Sequence, residues 1–278
     1  PGLDLTEREN IDSIKLNLRK FKDTRYDVKS SFQSSYPANE IKSLCDGSYI
    51  GSVKFDDPEI IKTSFNTKSI NYDWGKTNIV DRTSILEKMA DLIQVNADEL
   101  LFLLLHETGK TIHDAWDELR EAEDFLRFYC NEAKNIQSKS IELKGPTGEL
   151  NEISYHPKGT FLCISPWNFP AAILVGQISA ALVTGNNVIA KPSEHASIIG
   201  FKIVELFHKA GVPKEALQLI LGGAEQGDAL SLINNIQGVS FTGSHKTAKC
   251  INKNLASKEG PITPIIAETG GLNVMVDD

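Results

Sequence analysis

The chain has 278 residues, 41% of them hydrophobic, enough for one large domain or two ordinary ones with a packed core. Its 29 basic and 37 acidic side chains leave a formal net charge of -8, which suits a soluble protein and argues against one built on phosphate-backbone contacts to nucleic acid. The longest purely apolar stretches, such as Leu100–Leu105, fall far short of the roughly 20 residues of a membrane span.

The chain begins at Pro1 with no basic-then-apolar leader, and reads as a processed or cut piece whose natural beginning is not visible. Cys45, Cys130, Cys163 and Cys250 are widely spaced without a C-x-x-C, which predicts reduced cytosolic thiols acting as small core hydrophobes. Residues 1 to about 80 are mixed in pattern, and only "SYIGSVKF" reads as a short strand. From Asp81 the spacing of Ile85, Met89, Leu92 and Ile93 predicts a helix, and "NADE" offers an N-cap for the run Leu100–Leu105. A longer helix then places Ile112, Ala115, Trp116, Leu119, Ala122, Leu126 and Tyr129 on one stripe, with Glu118 and Glu121 expected on a solvated face. "SIELKGPTGELNEISYHPKG" alternates about a Gly-Pro-Thr-Gly turn and predicts a projecting β-hairpin.

From Thr160 short apolar runs alternate with helical segments. "TFLCI", "NNVIA", "ALQLIL", "GVSF" and "ITPIIAE" read as strands. Between them lie a helix closed by Gly185, one closed by Gly211, a short one in "DALSLINN" and one in "HKTAKCINKNLAS". Right-handed crossovers of this length predict an α/β fold, a Rossmann-like parallel sheet with helices on both faces. Ligands bind such sheets beyond the carboxyl ends of the strands, where "SPWNFP", "KPSE", "GGAEQG", "TGS" and "TGG" stand in turn. No G-x-G-x-x-G follows any strand, and Gly222, Gly223 and Gly227 fit a flexible turn as well as a ligand loop. In "KPSE", Lys191 and Glu194 leave a strand together around Pro192 and Ser193, either as solvated charges or as a grip on ribose hydroxyls. A carboxylate there accepts from a free 2'-hydroxyl and repels a 2'-phosphate, favouring NAD over NADP.

Together, "ISPWNFP", "KPSE", "SFTGS" and "ETGG", in this order and spacing, resemble the aldehyde dehydrogenase superfamily, and the likeness extends over about residues 35 to 278. "GQISAAL", "PITPIIAETGGLNVMVDD" with Thr269, and the leader "GLDLTERENI" are most similar to the pyrroline-5-carboxylate (glutamate semialdehyde) dehydrogenase module of bifunctional proline utilisation flavoproteins. The resemblance implies a thiolate that attacks an aldehyde, hydride transfer to NAD, and hydrolysis of a thioester. It implies that Asn168 is an oxyanion-hole amide and Glu268 the general base for the hydrolytic water. The apolar flanks of Glu268 predict the burial that base work favours, although by itself an isolated Glu fits a structural or solvated role. For the cofactor it implies Ile164, Ser165, Pro166 and Trp167 as groove wall, and Lys191, Ser193 and Glu194 as the ribose grip. Gly223, Gly227, Phe241, Thr242, Gly243, Ser244, Thr269 and Gly270 are the implied loops beneath the dinucleotide, with N-capping the plain alternative for Ser244. Lys246, Lys249 and Lys253 are expected on a solvated face, and no metal site is expected.

The likeness also implies a division of the chain: a leader at 1–34, a helical part at 35–136, an oligomerisation-type hairpin at 137–158, the Rossmann-like core at 159–273, and the start of a catalytic domain at 274–278. The family's nucleophilic Cys lies downstream of "ETGG", and no Cys follows Cys250, so the chain alone is expected to be inactive. A proline dehydrogenase flavoprotein module and a second copy of the chain are the implied macromolecular partners. The competing readings are a piece of an aldehyde dehydrogenase for succinate semialdehyde or an aliphatic aldehyde, or a non-catalytic binding module from a split gene.

Overall fold

The computed structural model describes residues 4–30, 32, 34–67, 73–272 and 274–276; Asp277 and Asp278 of the expected C-terminal segment lie outside the described residues. The first 80 residues hold α1 (Arg8–Leu18), β1 (Tyr26–Lys29), β2 (Ala38–Lys42), β3 (Tyr49–Lys54), α2 (Pro58–Thr67) and the short α3 (Asp73–Lys76). A helical layer follows as α4 (Ile79–Val95), α5 (Ala97–Thr108) and α6 (Ile112–Gln137). The hairpin is β4 (Ile141–Lys144) and β5 (Leu150–Ile153), and the alternating part runs β6 (Thr160–Ile164), α7 (Ala172–Val183), β7 (Asn187–Lys191), α8 (Ser197–Ala210) and β8 (Leu217–Leu219). It ends with α9 (Ala224–Ser231), β9 (Gly238–Gly243), α10 (His245–Ala256) and β10 (Ile265–Thr269). Among the described residues no helix is long and apolar enough to cross a membrane.

The five strands from β6 onward form one parallel sheet in the order β10-β9-β6-β7-β8, as the alternation of strands and helices predicts. Successive side chains on a strand face opposite sides, so the sheet divides its apolar residues between two cores. Leu162, Ile164, Ile189, Val239 and Phe241 pack with Ile61 and Phe65 of α2, Leu230 of α9 and Ile251 and Leu255 of α10. Cys163, Val188, Ala190, Leu217 and Leu219 face the larger core beneath α4 to α8. The order reverses between β6 and β9, because β7 and β8 build outward on one side of β6 and β9 and β10 on the other. Gly185 and Gly211 close α7 and α8 with φ of +90° and +126°, a region that favours glycine.

Helix α7 carries no charged side chain along its length, and both its ends rest on buried charges from the helical layer. At its N-terminus Oε1 of Glu118 accepts from the N–H groups of Ala171 and Ala172 at 2.7 and 3.1 Å. At its C-terminus the buried Arg82 guanidinium donates to the Val183 carbonyl at 2.9 Å. A negative group at the start and a positive one at the end both match the helix dipole. The sequence expectation for Glu118 is therefore corrected: the carboxylate lies inside the apolar stripe, 1% exposed, because the start of α7 needs an acceptor there. Glu121 is exposed as expected.

Other expectations shift at their edges. Asn96 does not cap α5 with its side chain; its amide turns back to donate to the Leu92 carbonyl and finishes α4. Helix α9 starts at Ala224, ahead of the predicted segment, because Oε1 of Gln226 accepts from the Gly223 N–H and supplies a starting point. Cys130 and Cys163 are core residues, whereas Cys45 and Cys250 are exposed and are not core hydrophobes. Both lie at the margins of packed elements: Cys45 follows the end of β2, and Cys250 is exposed on α10 beside the buried Ala248, Ile251 and Leu255. The hairpin forms as predicted, β4 pairing antiparallel with β5 and both fully exposed. Of the first 80 residues the sequence disclosed β3 but not β1, which pairs parallel to it, nor α1, whose Ile14 enters the main core.

Candidate functional site

Because β6 ends level with β7, and β9 ends level with β10 only two residues further on, the four tips line up along one edge. Glu268 pairs with Thr242, Phe241 with Ile164, and Ile164 with Lys191. At a spacing of ~4.8 Å between strands, the tips of β10 and β7 stand about 14 Å apart across the reversal point. The Ser165 N–H donates to the Lys191 carbonyl at 3.3 Å and continues the β6–β7 ladder one step past the strand. Nε2 of Gln177 donates to both the Ile164 carbonyl and the Thr242 hydroxyl at 3.2 Å, tying β6 to β9 at the reversal point.

Above this row lies a groove of about 940 Å³, within the range of ordinary small-molecule sites. Ile164, Ser165, Pro166, Trp167 and Asn168 form one wall, and Lys191, Ser193, Glu194, Gly223 and Gly227 another. Phe241, Thr242, Gly243, Ser244, Glu268, Thr269 and Gly270 complete it, so every candidate site residue named from the sequence lines one cavity. The groove also takes in Asp228, Thr247, Cys250 and Ile251, which the motif reading missed because they sit on the helices behind the loops. Lys246 is exposed, as expected, yet stands on the rim.

The local chemistry differs along the groove. Lys191 is buried, and burial pulls its ammonium down to about 8 against the opposing pull of the Glu194 charge. Gly223 and Gly227 leave room on that side: a Cβ on the first would come within 3.3 Å of the Glu194 carboxylate, and one on the second within 3.7 Å of the Lys191 stem. The Ser165 hydroxyl is buried and has no hydrogen-bond partner among the described residues, so the groove wall holds a donor and acceptor. Ser244 caps α10 by accepting from the Thr247 N–H at 3.1 Å, which satisfies its plain structural reading while presenting the start of that helix to the groove. Glu268 is exposed, so the burial expected from its apolar flanks is absent: β10 is an edge strand, paired only with β9. Asn168 and Trp167 are also exposed, the latter by 57%, and the Asn168 amide makes no hydrogen bond among the described residues.

Two carboxylates that were not recognised from the sequence decide which helix starts are open. Glu118 occupies that of α7, and Glu107, fully buried in α5, accepts from the N–H groups of Ile198 and Ile199 at the start of α8, each at 2.8 Å. The starts of α9 and α10 line the groove instead. A signal for the buried pair existed: Glu118 stands three residues after Ala115 and four before Ala122, and Glu107 four after Leu103, so both continue an apolar stripe.

These features define a doubly wound α/β protein with a groove at the reversal point of its sheet, the place where such folds bind ligands. The aldehyde dehydrogenase family model matches residues 33–276, and the chain belongs to that family. It is 40% identical over 209 residues to the bifunctional protein PutA of Klebsiella aerogenes, covering 74% of this chain and 15% of that one. Against the PutA of Escherichia coli (strain K12) it is 32% identical over 286 residues, covering 100% of this chain and 21% of that one. A solved variant of Thermus thermophilus 1-pyrroline-5-carboxylate dehydrogenase superposes on 98% of this chain and 55% of its own, with a TM-score of 0.88 and 26% identity. The chain thus spans about a fifth or less of these PutA proteins and about half of the Thermus enzyme.

Proposed function

We propose that this chain supplies the NAD-binding part of a pyrroline-5-carboxylate dehydrogenase, with two of the groups needed to oxidise glutamate semialdehyde to glutamate. The observation that carries the reading is that the four motif loops and the Gly223 turn converge on one groove of suitable size at the sheet's reversal point. The relatives named 1-pyrroline-5-carboxylate dehydrogenase support the substrate class, and the bifunctional PutA relatives support a second catalytic module as partner, which the sequence resemblance takes to be a proline dehydrogenase.

The residues present fit a dinucleotide. Lys191 and Glu194 would hold the adenosine ribose, the glycines beside them leave space for it, and the unpartnered Ser165 hydroxyl can bond to it. The start of α10 behind Ser244 would offer its first-turn N–H groups and a positive dipole end to the pyrophosphate. NAD, when bound, supplies the acceptor for the aldehyde's hydride. Asn168, with a free side-chain amide, would donate to the carbonyl oxygen as it gains negative charge. Glu268, about 14 Å from the ribose end by strand spacing, would take a proton from the water that hydrolyses the acyl intermediate. The family's nucleophile is a thiol in a motif that neither groove-side cysteine matches: Cys163 lies in the sheet core, where burial pushes its thiol far up, and Cys250, which lines the groove from α10, stands upstream of the Glu268 motif. The chain by itself is therefore expected to bind NAD without oxidising aldehydes.

Calorimetric titration tests the reading directly, since heat of binding for NAD is expected and its absence at millimolar NAD would refute the proposal. Glu194→Ala should weaken NAD by roughly 10- to 100-fold, the worth of a hydrogen bond to a charged group, and NADP much less. Equal losses for both would remove the ribose assignment.

A further inference from the structure

The loop that carries Asn168 has few fixed points. Among the described residues, the N–H groups of Trp167, Asn168 and Phe169 make no backbone hydrogen bond. The loop is held at its start by the Ser165 N–H on Lys191 and at its end by Ala171 and Ala172 on Glu118, and the Phe169 carbonyl accepts a long bond of 3.4 Å from the Ile173 N–H. In between, one side-chain contact stands out: the Lys110 ammonium lies 4.1 Å from the centre of the Phe169 ring, the residue next to Asn168. That ammonium is also 2.8 Å from Oε2 of Glu118, in a pair whose side chains are 11% and 0% exposed. One carboxylate thus joins the start of α7 to a lysine, and the lysine reaches the ring beside the exposed amide. A cation over an aromatic face is favourable, more so where water is excluded, and it also restricts how far the ring can turn.

We propose that Lys110 and Glu118 are positioning residues for Asn168, a two-residue clamp that fixes the loop from behind while leaving its polar face open. The inference rests on the reading of Asn168 as the oxyanion donor. An oxyanion hole stabilises charge only when its donor is held in place before the charge develops. The Asn168 amide makes no hydrogen bond of its own among the described residues, so its position follows from how its loop and the Phe169 ring are held. Glu118 fixes where the loop rejoins the helix, and Lys110 carries that constraint back to the neighbour of Asn168.

The test uses the isotopically labelled chain, with the side-chain amide resonances of Asn168 assigned through Asn168→Asp and all variants studied well below their unfolding midpoints. Lys110→Met removes the charge and keeps most of the stem, Lys110→Arg restores a cation, and Glu118→Gln breaks the pair. Phe169→Leu removes a ring that is 42% exposed and so leaves the fold intact. The clamp predicts a doubled or broadened Asn168 amide in the Met, Gln and Leu variants, with a parent-like signal in Lys110→Arg. In Lys110→Met and Glu118→Gln, hydrogen exchange at Ala171 and Ala172 should speed up by about tenfold or more while β8 amides are unchanged. A parent-like Asn168 signal in Lys110→Met and Phe169→Leu overturns the proposal, as does equal disturbance by Arg and Met at position 110. NAD titration of the same samples separates the two ideas: a silent titration in the parent retires the cofactor reading, while the resonances still decide the clamp.

Discussion

Replacing Glu107 by Gln should change not only the stability of the fold but its dependence on pH. Glu107 is fully buried and holds the first turn of α8, directly after the Lys191–Glu194 loop, through bonds to Ile198 and Ile199. Burial pushes its carboxyl up from an ordinary 4.5 to about 7, more than the backbone bonds pull it down. At about 1.36 kcal/mol per pKa unit, the difference amounts to ~3 kcal/mol. Because the native carboxyl keeps its proton to a higher pH than the unfolded one, this contribution is complete below about 4.5 and is lost as pH rises through about 7. The amide of the Glu107→Gln variant cannot ionise, so it carries no such term; it loses one acceptor and with it ~1–3 kcal/mol at pH 5. Urea unfolding of the parent and Glu107→Gln between pH 5 and 8 should show the gap narrowing by up to ~3 kcal/mol as pH rises. A gap that stays constant over this range would refute the buried-carboxyl argument.

Gly200→Ala would place a Cβ 2.6 Å from Cγ of Pro192; this should cost ~1–3 kcal/mol and weaken NAD by displacing the turn between Lys191 and Glu194, measurable by thermal melting and calorimetry together. Ser244→Ala removes the acceptor for the Thr247 N–H, and the urea midpoint should fall by the equivalent of ~1 kcal/mol with an unchanged slope. Asn168→Ala, by contrast, should leave stability within ~0.5 kcal/mol, since the amide is exposed and bonds to nothing among the described residues; a larger loss in thermal melting would point to a structural role.

That strand-end loops would share one edge was legible because a parallel sheet with short crossovers sends every strand's carboxyl end there, while the individual lining residues near Ile164, Lys191, Phe241 and Glu268 came from the family resemblance, and those on the helices behind, such as Asp228 and Cys250, from neither. Length, spacing and turn residues likewise settle α6, α8 and the hairpin, whose determinants lie within a few residues of each other. Strand order, the reversal point between β6 and β9, and the exposure of Glu268 came only from the tertiary structure, because they depend on which strands meet and which stays at an edge. So did the partners of the two buried carboxylates, whose place on an apolar stripe is all that the sequence shows. Glu118 meets the start of α7 from 53 residues away and Glu107 meets that of α8 from 91; a charge belongs in a core only where such a distant partner awaits it, and no local pattern records that partner.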